Sequence, residues 1–145
     1  NRTARGVESY VLNFATNPDA EAVAARENAA SERTMSSLPE IVRAITLNNK
    51  LDESRSLAAI VQRELVRQLQ VSNRNLRNLG VKQAPFVVLI GASMPSVLAE
   101  ISFVTNSQEA RLLRTGSYRQ KVASALFEAV RGYQRSLKGV QVTAQ

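Results

Sequence analysis

The pattern of hydrophobic and polar positions predicts a chain that mixes strands and helices. Residues 6–14 carry β-branched and aromatic side chains with partial alternation, which is typical of a strand. Asn17, Pro18 and Asp19 then have the order of a helix start, with an N-cap, a first-turn proline and a first-turn acid. This helix is expected to reach about Asn28. The positions that we expect to face inward are Ala20, Val23, Ala24 and Ala30.

Two further helices are predicted in the middle of the chain. The stretch 31–37 is polar, and Ser37 to Glu40 has the spacing of a capping box that opens a short helix. A longer helix is expected from Asp52, because apolar residues recur there every four positions. The apolar faces are Leu38, Ile41, Val42 and Ile45 in the short helix, and Leu57, Val61, Leu65 and Leu69 in the longer one. Residues 73–83 are interpreted as a polar, basic connection.

Two short apolar runs follow this connection. Residues 85–90 and 96–104 are rich in β-branched side chains and are joined by a segment with Gly and Pro, so both are predicted to be buried strands. Asn106 to Glu109 is a second capping signal, and its helix should end near Arg114.

A last helix is expected after residues 115–117 and is predicted to end near Ser136, with 138–145 as a flexible tail. Its predicted inner face consists of Val122, Leu126, Val130 and Tyr133. The order strand, helices, two strands, helices indicates the α/β class. Three strands make a thin sheet with exposed edges, so the pattern fits half of a domain better than a whole one.

Composition narrows the chemistry of the chain. At 145 residues and 44% hydrophobic content it has the size of one ordinary domain. It contains no His and no Cys, which excludes imidazole metal sites, thiolate chemistry and His-activated nucleophiles within it. No apolar run approaches the roughly 20 residues of a membrane span.

The net charge of +7 favours polyanionic surroundings such as nucleic acid, anionic membrane surfaces or the bacterial cell wall. The basic residues are scattered, and no aromatic side chains sit between them to stack on bases. We therefore interpret them mainly as solvated faces and expect no nucleic-acid partner. The densest run consists of Arg55, Arg63, Arg67, Arg74, Arg77 and Lys82.

Glu100 stands out because it lies in an otherwise apolar run. A buried carboxylate is costly unless it is paired, metal-bound or protonated, and this cost is tolerated mostly at functional sites. Such a residue can act as a general acid or base. The alternative is that Glu100 lies at the end of its strand and faces solvent or pairs with Lys82 or an arginine. The residues alone leave both interpretations open.

Other polar residues are weaker candidates for a site. Asp52 and Glu53 are best explained by a helix N-terminus, where acids complement the helix dipole. Glu27 and Asn28 end a helix and could approach a site, but a solvated face explains them better. Lys82 and Gln83 are likewise expected to face solvent.

Several segments resemble consecutive landmarks of the bacterial zinc-dependent N-acetylmuramoyl-L-alanine amidases. The two most specific are 80–89, Gly-Val-Lys-Gln-Ala-Pro-Phe-Val-Val-Leu, and 94–106, Met-Pro-Ser-Val-Leu-Ala-Glu-Ile-Ser-Phe-Val-Thr-Asn. The weaker ones are Gly6 to Tyr10, Glu27-Asn28, Ser56 to Ala58 and Tyr118 to Ala123.

The resemblance implies that residues 1–137 are the C-terminal part of an amidase catalytic domain, with a sheet that is incomplete at its N-terminus. The catalytic glutamate of the family's Pro-x-x-Leu-x-Glu segment falls on Glu100, which implies a general base and acid. The family's cofactor is zinc. Its ligands, two His residues and a Glu, would precede Asn1, so none is assigned here and the isolated chain is expected to be inactive.

The resemblance also implies partners and a location. Residues 31–50 resemble an insertion that, in members associated with cell division, folds as a helix over the active site. Some such helices place a Glu on the zinc, which Glu32 or Glu40 would supply here. An activator protein would then draw the helix away. The substrate would be peptidoglycan, and the location periplasmic or extracellular, at the cell wall.

Two other function classes compete with a peptidoglycan hydrolase. The chain could be a non-catalytic wall-binding or regulatory derivative of the amidase fold. A basic nucleic-acid binder has little support, because the chain shows no recognisable binding motif. The coding sequence directly upstream of Asn1 separates the first two, since only a working enzyme needs the ligand-bearing half.

Overall fold

The computed structural model describes residues 3–30, 38–46 and 49–142, which form one three-stranded sheet and five helices. The sheet order is β2-β1-β3. This arrangement confirms the α/β class. The elements are β1 (Val7–Leu12), α1 (Pro18–Ala30), α2 (Leu38–Thr46), α3 (Leu51–Leu69), β2 (Asn78–Ala84), a 3-10 turn (Val87–Leu89), β3 (Leu98–Glu100), α4 (Ser107–Arg114) and α5 (Gly116–Val142).

The first predicted strand is confirmed as β1, the middle strand of the sheet. All six of its residues are buried, including the polar Glu8 and Ser9. A strand with neighbours on both sides loses solvent contact along both edges, which suits its run of β-branched and aromatic residues.

The second strand lies where the sequence predicted a connection. β2 covers 78–84, and its burial varies from exposed to buried as expected for a strand with a neighbour on one side only in the described sheet. The predicted strand at 85–90 is wrong, because its backbone makes local turns. Leu89 N–H donates to Phe86 O and Ile90 N–H to Val87 O, both over 3.1 Å.

The first helix begins as predicted. Asn17 Oδ1 accepts a hydrogen bond from Ala20 N–H over 2.9 Å, which satisfies one of the free donors of the first turn. Ala20 and Ala24 are buried, but Ala30 is exposed, so its predicted inward position is wrong. The helix extends to Ala30, two residues beyond the predicted end, and buries Asn28 instead.

Helix α2 is confirmed as a short amphipathic helix. Ile41 and Ile45 are buried, whereas Val42 is 42% exposed and lies off the buried face on which we predicted it. The side chain of Leu38, and Ser37 with the rest of the polar stretch 31–37, lie outside the described residues.

By its internal packing the chain divides into two compact units. One consists of Tyr10–Ala58 and Val81–Leu98, and the other of Asn1–Ser9, Ala59–Gly80 and Ala99–Gln145. In the first unit the Tyr10 and Phe86 rings meet edge to face, with centroids 4.8 Å apart. They belong to a core that also contains Leu12, Ala20, Ala24, Ile41, Ile45, Ala84, Val87 and Leu89.

In the second unit α3 and α5 approach closely, since a Cβ on Gly132 would lie 3.6 Å from Ile60 Cγ2. The predicted α3 stripe is buried here at Val61, Leu65 and Leu69. The buried face of α5 consists of Tyr118, Val122, Ala125, Ala129 and Tyr133.

Two predictions for α5 are wrong. Val130 is 49% exposed, and the small side chains of Ala125 and Ala129 are buried instead. A strict spacing of four drifts off a face that repeats every 3.6 residues. The helix also continues to Val142, past the predicted end near Ser136. Gly139 lies inside it, at a cost of about 1 kcal/mol that does not by itself stop a helix.

Candidate functional site

Glu100 is the last residue of β3 and is partly buried. The predicted strand 96–104 shortens to three residues, because the backbone N–H groups near both ends bond elsewhere. Ser96 N–H donates to Ser54 Oγ over 3.1 Å, and Phe103 N–H donates to Glu109 Oε2 over 2.8 Å. Glu100 therefore lies at the end of its strand but is not fully exposed, so its role as a catalytic residue stays a prediction.

Glu109 is the polar residue that sequence reasoning missed. The capping signal is confirmed, since Asn106 Oδ1 accepts hydrogen bonds from Gln108 N–H and Glu109 N–H. Glu109, however, does not act as an exposed capping residue. It is 1% exposed and its carboxylate accepts from Gly6 N–H at 2.9 Å, Phe103 N–H at 2.8 Å and Asn73 Nδ2 at 3.3 Å.

Tyr118 lies in the same unit and is also 1% exposed. Burial raises the pKa of its phenol above the ordinary value, because the charged form loses its hydration, and the negative charge of Glu109 adds to this effect. Ser102 and Asn73 oppose it as hydrogen-bonding neighbours. These neighbours do not reach ideal hydrogen-bond distance and angle. In the described part of the chain, no group makes a well-formed hydrogen bond to the buried atoms Tyr118 Oη, Ser102 Oγ and Asn73 Oδ1.

The other unit contains an open groove with a volume of about 280 Å³. Its lining residues are Glu27, Asn28, Ala30, Phe86, Val88 and Leu98. Glu27 is exposed, as predicted, but the solvated position expected for Asn28 is wrong. Asn28 is buried, its Nδ2 donates to Pro85 O over 2.9 Å, and its Oδ1 accepts from Val87 N–H over 2.9 Å. Asn28 therefore holds the turn that follows β2.

The remaining candidates have structural explanations. Asp52 and Glu53 lie in the first turn of α3. A hydrogen bond to its own backbone lowers the pKa of Glu53, as does the side chain of Lys50, 3.2 Å away. Lys82 and Gln83 do not face open solvent as expected. Lys82 Nζ lies 5.8 Å from the centre of the Tyr10 ring, and Gln83 Oε1 accepts from Asn13 Nδ2.

The basic run is otherwise solvated. Five of its six members, Arg55, Arg63, Arg67, Arg74 and Arg77, are exposed, as the sequence predicted. None of the helices within the described residues combines the length and the hydrophobicity that a membrane span requires. Within the same ranges, no three carboxylate, imidazole or thiol side chains come together in a way that could hold a metal ion.

Comparison with known proteins places these features in a family. The family model described as N-acetylmuramoyl-L-alanine amidase matches residues 1–132. The chain belongs to the N-acetylmuramoyl-L-alanine amidase family. This membership confirms the family on which the sequence resemblance rested.

Individual amidases match parts of the chain. N-acetylmuramoyl-L-alanine amidase AmiA of Escherichia coli is 52% identical over 58 residues, which are 40% of this chain and 20% of that protein. AmiC of Neisseria meningitidis is 29% identical over 143 aligned positions, covering 90% of this chain and 32% of that protein. An uncharacterized Bacillus subtilis protein, YqiI, is 42% identical over 82 residues, 57% of this chain and 37% of its own.

Solved amidases share the fold. An N-acetylmuramoyl-L-alanine amidase from Clostridium difficile 630 superposes with a TM-score of 0.60 at 20% identity, covering 94% of this chain and 52% of that one. The CwlD amidase from Clostridioides difficile, solved in complex with the GerS lipoprotein, gives 0.57 at 18% identity, with 94% and 49% covered. The chain thus spans about half the length of these solved amidases and less than two fifths of the curated relatives named above.

Proposed function

We propose that the complete protein hydrolyses the amide bond between the lactyl group of N-acetylmuramic acid and L-alanine in peptidoglycan. Family membership over residues 1–132 carries this proposal. The net charge of +7 suits a protein that works at a polyanionic cell wall, in the periplasm or outside the cell. The chain spans about half the length of the solved amidases that it resembles, so the activity is proposed for the whole protein.

In this proposal Glu100 is the general base and acid. Its carboxylate takes a proton from the attacking water as the new C–O bond forms at the lactyl carbonyl carbon. It then delivers that proton to the L-alanine nitrogen as the C–N bond breaks, which yields a carboxylic acid and an amine; the remaining proton of the water passes from the new acid to the amine, so that the products are a carboxylate and an ammonium group. The partial burial of Glu100 at the end of β3 supports this role, because limited hydration strengthens its interaction with reacting groups.

The zinc that the resemblance implies does not fit the side chains of this chain. The chain has no His and no Cys, and its described carboxylates form no group of three that could hold a metal. We therefore propose that the zinc ligands lie outside these 145 residues. Glu100 is the catalytic residue that the proposal assigns within them.

Helix α2 is proposed as the regulatory part of the 31–50 segment. In this structure Ile41 and Ile45 belong to the core of their unit, whereas Glu40 and Arg43 are exposed. A short helix that packs through residues such as Ile41 and Ile45 can be displaced by a partner that binds its closed and open states with different affinity. One solved relative, CwlD, is in complex with a lipoprotein, which supports an activator protein as the partner.

Glu100→Gln in the complete protein tests the catalytic proposal. Glutamine keeps the size of the side chain but cannot take up a proton, so hydrolysis should fall by about 10²–10⁴-fold. Glu128→Gln is the matched control, because it makes the same change at a partly exposed residue of α5. The readout is the release of L-alanine amino termini from purified peptidoglycan, with thermal melting as the check on folding.

Three outcomes separate the competing functions. Loss of amine release in Glu100→Gln alone supports the proposal. Near-normal release in that variant overturns the role of Glu100. Peptidoglycan binding by the wild-type protein without any amine release supports the non-catalytic derivative instead.

Removal of residues 31–50 tests the regulatory proposal in the same assay. Basal hydrolysis should rise if this segment covers the active site, and unchanged hydrolysis would argue against it. Because the deletion also removes two core residues, Ile41→Ala with Ile45→Ala provides a milder way to loosen the helix. Both changes should raise basal activity relative to the intact protein.

A further inference from the structure

Glu109 is a buried carboxylate that joins three separate segments of its unit. Its Oε1 accepts from Gly6 N–H, just before β1, and from Asn73 Nδ2, in the turn after α3. Its Oε2 accepts from Phe103 N–H, three residues after Glu100. A carboxylate with so little exposure would be costly without partners, and these three donors compensate for its lost hydration.

The carboxylate is itself held in a rigid setting. Glu109 lies in the first turn of α4, and Asn106 caps this turn through hydrogen bonds to two of its backbone N–H groups. A negative charge in the first turn is also favoured by the helix dipole. The start of α4 therefore presents Glu109 Oε2 to Phe103 from a fixed direction.

The segment between Glu100 and α4 depends on this contact. Residues 101–103 belong to no helix or strand. Both backbone polar groups of Phe103 bond to the beginning of α4, since its N–H donates to Glu109 Oε2 and its C=O accepts from Asn106 N–H over 2.9 Å. Three residues span at most about 10 Å, so a displacement of Phe103 is transmitted along a short chain to Glu100.

We propose that Glu109 is a positioning residue that holds Glu100 in its reactive place by fixing Phe103. This inference rests on the proposed function of Glu100. Glu109 touches no reacting atom and acts through the backbone. A general base loses efficiency when it is displaced by even about 1 Å, so a loosened Phe103 lowers the turnover rate while substrate binding stays nearly unchanged.

The test compares Glu109→Gln, Glu109→Asp and the control Glu128→Gln in the complete protein. Glutamine keeps one acceptor oxygen and replaces the other with a donor, so at least one of the three N–H donors loses its partner. Aspartate keeps the charge but shortens the reach by about 1.5 Å. The readouts are kcat and KM on soluble peptidoglycan fragments, and hydrogen exchange of the Phe103 and Gly6 amides.

We expect Glu109→Gln to lower kcat by about 10–100-fold with KM within about twofold, and to speed exchange at Phe103. Glu109→Asp should also lower kcat while KM stays nearly unchanged, but by a smaller factor. If Glu109→Gln does not fold, Glu109→Asp provides the test. Glu128→Gln should change neither quantity. Unchanged kcat in a folded variant, or unchanged exchange at Phe103, overturns the inference.

Failure of the proposed function gives a different result. If Glu100→Gln retains full activity, Glu100 is not the base, whatever Glu109 does. If Glu100→Gln is inactive while folded Glu109 variants keep a normal kcat, the proposed function stands and the positioning role of Glu109 fails.

Discussion

Gly6 donates its backbone N–H to Oε1 of Glu109, 103 positions later in the chain, over 2.9 Å. The same glycine has a φ of +121°, a conformation that L side chains rarely adopt. A Cβ at this position would also run into the carbonyl group of Arg77. Position 6 therefore requires glycine for two independent reasons: the positive φ of its backbone, and the close approach of the Arg77 carbonyl group. The hydrogen bond from Gly6 to Glu109 in addition stabilises the buried carboxylate.

A series of glycine substitutions should separate these requirements. Gly116→Ala adds a methyl group in open space at the start of α5 and should raise the free energy of unfolding by up to about 1 kcal/mol, because alanine favours a helix more than glycine does. Gly91→Ala also meets open space but has a φ of +84°, so it should cost about 1–2 kcal/mol. Gly6→Ala combines an unfavourable positive φ with a clash between the new Cβ and the Arg77 carbonyl group, so it should lower the free energy of unfolding most. Urea denaturation measures the free energy of unfolding of each variant. Equal losses of stability at Gly6 and Gly91 would contradict a contribution from the close approach of Arg77 to Gly6.

Asn28→Asp should destabilise the unit that contains the groove. Aspartate cannot donate to Pro85 O, and it places a charge where a neutral amide is buried, so we expect a loss of about 1–3 kcal/mol or more. The control is Glu27→Gln, a change of similar size at the preceding exposed residue. Denaturant unfolding of both variants provides the comparison, and equal stability of the two would show that the bridge from Asn28 to the turn contributes little.

The corrected inner face of α5 can be tested at two adjacent positions. Ala129→Leu forces a larger side chain into a buried place and should cost about 1–3 kcal/mol. Val130→Leu introduces leucine at a position that is half exposed, and should change the free energy of unfolding by less than about 0.5 kcal/mol. A larger loss of stability in Val130→Leu than in Ala129→Leu, measured by thermal or chemical unfolding, would indicate that Val130 lies on the buried face.

Tyr118→Phe should change how stability depends on pH. The pKa of the buried phenol is raised, so in the folded protein it keeps its proton at pH values where the unfolded chain, with a pKa near 10, has lost it. The stability that this provides is complete below pH 10 and is lost as the pH rises through the folded pKa. Relative to Tyr118→Phe, the wild type should therefore lose stability as the pH rises from 10 towards the folded pKa, by no more than about 1.4 kcal/mol per pH unit.

The measurement is the difference in unfolding free energy between Tyr118→Phe and the wild type at pH 8, 10 and 11. Below pH 10 the difference should be constant, because the phenol keeps its proton there in both the folded and the unfolded protein. Parallel curves across the whole range would contradict the raised pKa.

Local signals predicted the helices well. Asn17 and Asn106 were identified as caps from the residues beside them, and both accept the expected backbone hydrogen bonds. The stripe of α3 was likewise visible, because helical periodicity is a property of the chain itself. The family resemblance also came from contiguous segments, and the family match over residues 1–132 confirmed it.

Predictions failed where neighbours in space determine the structure. Residues 78–84 form a strand although they read as a polar connection, because they pair with β1 and lie beside it in the sheet. The apolar run 85–90 turns instead of extending, since Asn28, nearly 60 positions earlier, binds its backbone. Neither partner is visible in a local window.

The sequence by itself determined the positions of α1, α3 and α4, the family, and the choice of Glu100 as a candidate, because caps, periodicity and a carboxylate in an apolar run are all local patterns. Only the tertiary structure decided which face of α5 is buried, where β3 ends, and that Glu109 is a buried carboxylate. Its donors lie 103, 36 and 6 positions away, and one of them is a side chain in a turn. A hydrogen bond that compensates for burial depends on distances in space, which no spacing along the chain records.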